Sequence, residues 1–406
     1  LSGRGRVAHT AAALLALAGG EAWLVTHNEA RFFEYKAIYT ALNVPDNTVV
    51  REIYSPKGYG MILDNFTERR DIPVSNNLGL LGVEGPPTGL GLYRDGNRVA
   101  CLPKPGDPVD WGYVKGALSS LPYRMRENPH TLVIGAGGGF RIPEIATMPY
   151  QRMVVLESDD VVFDGLRTGT LHAEDAPESG PAPEVFQEGP QSFLARDAGP
   201  FDIVDVSAEL LDGGRANIYA YTCETIQRYL RALAPDGLVS LPVSIRQFPG
   251  YATKVVNTAA EALRREGIAE PWSHLAVYRS EWVARILIAK ATFGEDDIAT
   301  LRAFCDERSF DTSYFPGIEP AQVEVWNEVP PFTLDDFQPD QSGDAMMLDI
   351  IEALGLPGKN SATPDIFDLG PVTDERPFLN SIVQAPNLDK VLKKLELLPQ
   401  SEIGLL

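Results

Sequence analysis

Thr131-Leu132-Val133-Ile134, Gly135-Ala136-Gly137-Gly138-Gly139, Ile142-Pro143-Glu144-Ile145 and Met153-Val154-Val155-Leu156-Glu157 follow one another, and this stretch decides the fold. The first run is apolar and β-branched, the pattern of a strand buried on both faces of a parallel sheet. Glycines then let the backbone turn tightly and approach a ligand. A helix is predicted to start near Ile142, with Pro143 tolerated in its first turn. The second apolar run ends in Glu157, 22 residues after Gly135. An acid at that place accepts hydrogen bonds from ribose hydroxyls, while the helix N-terminus offers free N–H groups. The unit predicts a nucleoside-containing ligand. The strict dinucleotide pattern of three glycines ends here in Phe140, which disfavours NAD and leaves S-adenosyl ligands.

Outward from this unit, residues 130–290 alternate strand and helix, the signature of a doubly wound, mostly parallel α/β sheet. The strands are predicted at Thr131–Ile134, Met153–Leu156, Glu184–Gln187, Phe201–Val206 and Gly237–Leu241. His274–Tyr278 and Ala284–Ala289 are joined by a short connection and are expected to pair antiparallel at the sheet end. Thr222 to Leu233 reads as a helix with Ile226, Leu230 and Leu233 on one face, and residues 173–183 read as an acidic, Pro- and Gly-rich loop.

Upstream, residues 1–45 read as mostly helical, through Phe32–Tyr39. Residues 46–125 form a β-rich module. Val49–Tyr54 and Tyr59–Leu63 make one hairpin, and Gly89–Val99 makes another around Asp95-Gly96-Asn97. Tyr113 to Leu121 is a helix candidate leading into the sheet domain, residues 126–294. Residues 295–406 hold helical patches at Asp296–Phe304 and Ala345–Leu354 between Pro-rich connections, a C-terminal extension expected to pack on that domain.

Composition narrows the function. The 406 residues carry a net charge of −21, so nucleic acid, which needs clustered Lys and Arg, is not an expected partner. Cys101, Cys223 and Cys305 are far apart with no C-x-x-C, which favours a reducing compartment. The five histidines show no metal-ligand spacing, and no metal is expected. No run reaches 18 uninterrupted apolar residues. Ala11 to Val25 comes nearest and reads as an Ala-rich amphipathic helix rather than a signal peptide.

Ligands of open α/β sheets lie over the carboxyl ends of the strands. The residues just past each strand therefore make the candidate site: Gly135, Gly137, Gly138 and Gly139, then Glu157, then Glu188-Gly189, then Asp205-Val206-Ser207-Ala208-Glu209. Glu157 would hold the ribose, Glu188 would accept from the adenine amine, and Asp205 would stand near the reacting centre.

On these residues the span from about 50 to 290 resembles the spermidine synthase family of aminopropyltransferases, a branch of the class I S-adenosylmethionine-dependent methyltransferase fold. The features that carry the resemblance are the β module with Asp95-Gly96, Tyr113 before the core, Val133–Gly139, Val155-Leu156-Glu157 and Phe201-Asp202-Ile203-Val204-Asp205. Thr373-Asp374-Glu375-Arg376-Pro377-Phe378 looks like the ending of the relatives that carry membrane helices upstream. The resemblance implies a Rossmann-like sheet, S-adenosylmethionine or its decarboxylated form as co-substrate, and Asp205 and Tyr113 as catalytic residues. It also implies a small acceptor such as an amine, a homodimer among the candidate assemblies, and a cytoplasmic or membrane-associated location. The departures are specific. The family's glycine loop has an acid where Gly138 stands, its second catalytic acid is replaced by Ala208 with Glu209 displaced by one, and Lys115 stands where a dicationic polyamine would be repelled. The expected function is S-adenosyl-dependent aminopropyl or methyl transfer. The alternatives are a non-catalytic relative serving as a binding or assembly module, and an NAD-dependent oxidoreductase.

Overall fold

The computed structural model describes residues 14–20, 32–34, 36–173, 175–196, 199–207, 219–320, 323–327, 344–357, 367–387 and 389. Residues 14–20 are helical (α1), and α2 spans Ala37–Leu42; residues 32–34, expected to be helical, are not. Ala208 and Glu209, and much of residues 1–45, lie outside the described residues.

The β-rich module is a four-stranded antiparallel sheet in the order β1 (Thr48–Ser55), β2 (Gly58–Asp64), β3 (Leu90–Arg94), β4 (Asn97–Leu102). Its second turn is shorter than expected: Asn97 pairs with Arg94, leaving Asp95 and Gly96 as the turn. Both have positive φ, 49° and 81°, which suits the right-handed twist of the flanking strands. The segment Tyr113 to Leu121 is not an α-helix. It forms two 3₁₀ segments, Trp111–Gly116 and Leu118–Ser120, before a single α turn, α3 (Pro122–Met125).

The main sheet has eight strands in the order β12-β10-β11-β9-β8-β5-β6-β7. They are β5 (His130–Ile134), β6 (Arg152–Leu156), β7 (Glu184–Phe186), β8 (Phe201–Val206), β9 (Leu233–Ser244), β10 (Leu275–Arg279), β11 (Val283–Ala289) and β12 (Asp311–Tyr314). From β7 to β9 all neighbours are parallel. β11 then inserts between β9 and β10, antiparallel to both. This is the doubly wound, class I methyltransferase-like α/β sheet. The C-terminal extension supplies β12 on the outer edge of β10, a strand the sequence pattern did not reveal. β12 is a four-residue run, Asp-Thr-Ser-Tyr, with little apolar signal.

Alternate residues of the central strands enter two separate cores, as parallel strands covered on both faces require. Leu132, Ile134, Val204 and Val239 pack toward α6 (Pro190–Leu194), α7 (Cys223–Ala232), α8 (Gly250–Arg265) and α10 (Ala345–Ala353). Val133, Val155, Ile203 and Leu238 pack on the opposite side, toward α4 (Arg141–Ile145), α5 (Asp160–Thr168) and α9 (Glu295–Arg308). Thr222 caps α7 by accepting from Thr225 N, so the predicted helix is found one residue in at each end. Its hydroxyl also donates to Asp374 at 2.6 Å, which ties the Thr373–Phe378 segment to the start of that helix.

The three cysteines are buried and free. Among the described residues no helix is long and apolar enough to cross a membrane, and no three His, Cys, Asp or Glu side chains group as metal ligands.

Candidate active site

The strand order reverses between β5 and β8, and the crevice outside the carboxyl ends of such strands is where open α/β sheets hold ligands. The predicted residues converge there. Gly135, Gly137, Gly138 and Gly139 all take positive φ, at 90°, 63°, 65° and 106°, so the turn after β5 depends on glycine. Glu157, at the end of β6, is buried. One of its oxygens accepts from Ala136 N at 3.0 Å and the other from Asp159 N at 2.7 Å. The acid thus fixes the glycine turn to the β6 end.

Part of the glycine requirement comes from the protein itself. A methyl group at Gly138 would sit 1.9 Å from the carbonyl oxygen of Cys101 on β4. No side chain fits at that position, so no acid can stand there. A methyl group at Gly137 would meet the Arg70 guanidinium at 2.8 Å. The β-rich module therefore lies directly on the turn. It reaches further: Lys57 donates to the Ser158 carbonyl at 2.5 Å, and Arg94 pairs with Asp159 and Asp160 at 2.7 and 2.6 Å.

Glu188 and Gly189 lie beyond β7 at the surface. Glu188 pairs with Arg196, and Gly189 precedes α6 with an ordinary φ of −84°, so nothing there demands glycine. Lys115 is exposed, and only its carbonyl engages the core, accepting from Arg308 at 2.6 Å. Among the described residues its ammonium makes no hydrogen bond or ion pair.

Asp205 and Tyr113 are brought to this region, but in a setting the sequence did not reveal. Both are fully buried in one chain of alternating charges, Arg70–Glu144–Arg141–Asp205–Arg285. Asp205 accepts from four donors: the Tyr123 hydroxyl at 3.1 Å, Arg141 Nε at 3.0 Å, Arg141 Nη2, and Arg285 Nη1 at 2.7 Å. Three of the four fall on Oδ2, which is fully used, and Arg285 alone on Oδ1. Glu144 has two donors on each oxygen: Arg70 at 2.8 Å and the Tyr113 hydroxyl at 3.0 Å on Oε1, and Arg70 at 3.3 Å and Arg141 at 3.2 Å on Oε2. Burial alone would raise both carboxyl pKa values. The guanidiniums outweigh it, Arg141 first for Asp205 and Arg70 first for Glu144. Asp205 is held below the ordinary range and Glu144 at about 2. Burial, and then the charge of Glu144, pushes the Tyr113 hydroxyl far above its usual value. An acid held this low between two guanidiniums is a poor general base, which speaks against proton transfer by Asp205.

The arginines were missed, yet two signals marked them. Arg285 interrupts the apolar run Ala284–Ala289 in a central strand, and a buried cation requires a buried partner. Arg141 and Glu144 stand at helical spacing directly after the glycine turn.

No family model and no curated protein matches the chain. Solved structures are similar at low identity. Spermidine synthase from Thermotoga maritima superposes with a TM-score of 0.40 and 18% identity, over 69% of this chain and 81% of that one. A spermidine synthase in complex with the transition state analogue AdoDATO gives 0.39 and 18%, over 69% and 80%. A probable spermidine synthase from Corynebacterium glutamicum gives 0.43 and 13%, over 64% and 87%. The fold assignment rests on strand order and register rather than on these superpositions.

Proposed function

We propose that the chain is an S-adenosyl-dependent transferase whose nucleoside lies over the carboxyl ends of β5, β6 and β7. The observation that carries this reading is Glu157, a carboxylate at the β6 end bonded to the main chain of the glycine turn. It stands where ribose hydroxyls need an acceptor. Ser207 supports the fit. Its hydroxyl follows β8 at the switch point, is fully buried, and has no hydrogen-bond partner. A buried polar atom left unpaired is costly, and a ligand group beside it would remove that cost.

In this reading the turn amides and Glu157 fix the nucleoside, and Glu188 takes the adenine amine by exchanging its surface partner Arg196. A surface pair is worth at most about 1 kcal/mol, so the exchange is cheap. The sulfonium co-substrate supplies an electrophilic carbon, a methyl from S-adenosylmethionine or an aminopropyl from its decarboxylated form. The protein's contribution is alignment of that carbon with a nucleophile, which by itself supplies much of the rate. Asp205 anchors Arg141 and Arg285 beneath the turn and takes no proton.

A second reading is favoured by one observation. Asp205 and Tyr113, the two expected catalytic residues, are both engaged in the buried ion chain, as a non-catalytic binding or assembly module allows. Melting with S-adenosylmethionine, its decarboxylated form, methylthioadenosine and NAD separates the readings. The transferase reading expects a rise with adenosyl sulfur compounds and none with NAD, together with turnover of an acceptor. A rise without turnover across acceptor classes supports the binding module. No rise with any adenosyl compound at millimolar concentration rejects the nucleoside site.

A further inference from the structure

At the topological switch point the acid on β8 is opposed by a cation that the chain itself supplies. Arg141 comes directly after the glycine turn on α4, and all five of its N–H groups have an acceptor. Nε and Nη2 reach Asp205, Nη1 reaches the Ser119 hydroxyl at 3.0 Å and Glu144 at 3.2 Å, and Nη2 also reaches the Ser119 carbonyl at 3.3 Å. Its guanidinium stands 5.5 Å from the Tyr123 ring centre, which adds a cation–π contact. With Arg285 on its other oxygen, Asp205 faces two guanidiniums.

We propose that Arg141 is a resident cation, filling the subsite against Asp205 that a substrate ammonium would need, and that it thereby limits the acceptor to neutral or anionic nucleophiles. Acids at a strand end suggest an amine site only while their partners are unknown. Here Arg141 and Tyr123 crowd Oδ2 and Arg285 holds Oδ1, and an incoming ammonium would meet both guanidiniums in a medium that screens like charges poorly. Arg141 is in this sense a specificity-determining residue. Its effect on an acceptor rests on the transferase reading, whereas its occupancy of the subsite does not.

The test compares the full chain with Arg141→Ala, using 1,4-diaminobutane and methylguanidinium at low millimolar concentration. Wild type is expected to show no change in melting temperature with either cation. The variant is expected to melt lower and to recover part of the loss with each, binding the diamine at least about tenfold more tightly than wild type does. If the variant does not fold alone, methylguanidinium is expected to restore folding, because a ligand specific to the native state shifts the equilibrium toward it. The inference is overturned if wild type binds the diamine as tightly as the variant. It is also overturned if neither cation stabilises a folded variant, or if methylguanidinium fails to rescue an unfolded one. S-Adenosylmethionine is titrated into the same wild-type sample. A nucleoside shift with failed cation arms overturns this inference alone, and successful cation arms without a nucleoside shift overturn the transferase reading alone.

Discussion

Arg141 Nε donates to Asp205 Oδ2 at 3.0 Å across 64 residues of sequence, joining the helix after the glycine turn to the strand at the switch point. This contact turns an expected catalytic acid into half of an ion pair, and it sets what each substitution in the region should do.

Asp205→Asn is expected to act on stability more than on chemistry. Removing one partner of a buried pair leaves the others uncompensated and costs about 3–5 kcal/mol. Here Arg141 and Arg285 would share the loss. Chemical denaturation of the variant beside wild type measures it. A general base would behave differently, with turnover falling roughly 10²- to 10⁴-fold at unchanged stability, and that result would restore the catalytic role.

The buried carboxylates also predict an acid limit. Glu144 is held at about 2 against an ordinary value of 4.5, and Asp205 is lowered as well. Each binds fewer protons folded than unfolded; the stabilisation from Glu144 is present above about pH 4.5 and lost as the pH falls toward 2, and that from Asp205 is likewise lost in acid. Unfolding free energy measured from pH 7 downward should stay flat in this respect until about pH 5 and then drop. Glu144→Gln should remove part of that drop and lower stability at neutral pH. An unchanged acid limb in the variant would mean that Glu144 does not set the acid limit.

Two glycines separate protein packing from surface tolerance. Gly138→Ala places a methyl 1.9 Å from the Cys101 carbonyl at a φ of 65°, and it should cost at least about 2 kcal/mol. Gly189→Ala has nothing within 4 Å of the added carbon and an ordinary φ, so it should stay within about 0.5 kcal/mol of wild type. Comparable losses at the two positions would contradict the contact between β4 and the turn.

Glu157→Gln addresses the nucleoside site. At a hundredfold excess over its dissociation constant a ligand stabilises the native state by about 2.7 kcal/mol, a rise of a few degrees in a chain this size. The amide cannot serve both the Ala136 and Asp159 N–H groups and the ribose as the carboxylate does, so most of the rise should disappear. Retention of the full rise would move the ribose away from Glu157.

Lys115→Glu tests the surface position of that side chain. It is exposed and the core contact runs through its carbonyl, so melting temperature and any diamine response should match wild type. A new diamine response in this variant would place the ammonium beside the acceptor site.

What the sequence determined by itself was periodic and local. Thr131–Glu157 carries its strand, turn, helix and strand in runs of apolar residues broken by glycine, and Phe201–Val206 was found at its observed bounds. The convergence of the glycine turn, Glu157 and Asp205 also follows from strand order, because the carboxyl ends of adjacent parallel strands must share one rim. Tertiary structure alone decided what those residues touch. Arg70 lies in the connection between β2 and β3, Arg141 on α4 and Arg285 on β11, and no local pattern tells which carboxylate each will meet. Cys101 on β4 forbids a side chain at Gly138 by a backbone contact between distant elements, and β12 joins the sheet through main-chain pairing with β10, not through an apolar pattern. Propensity and periodicity act between neighbours in the chain, whereas charge pairing and close packing act between neighbours in space.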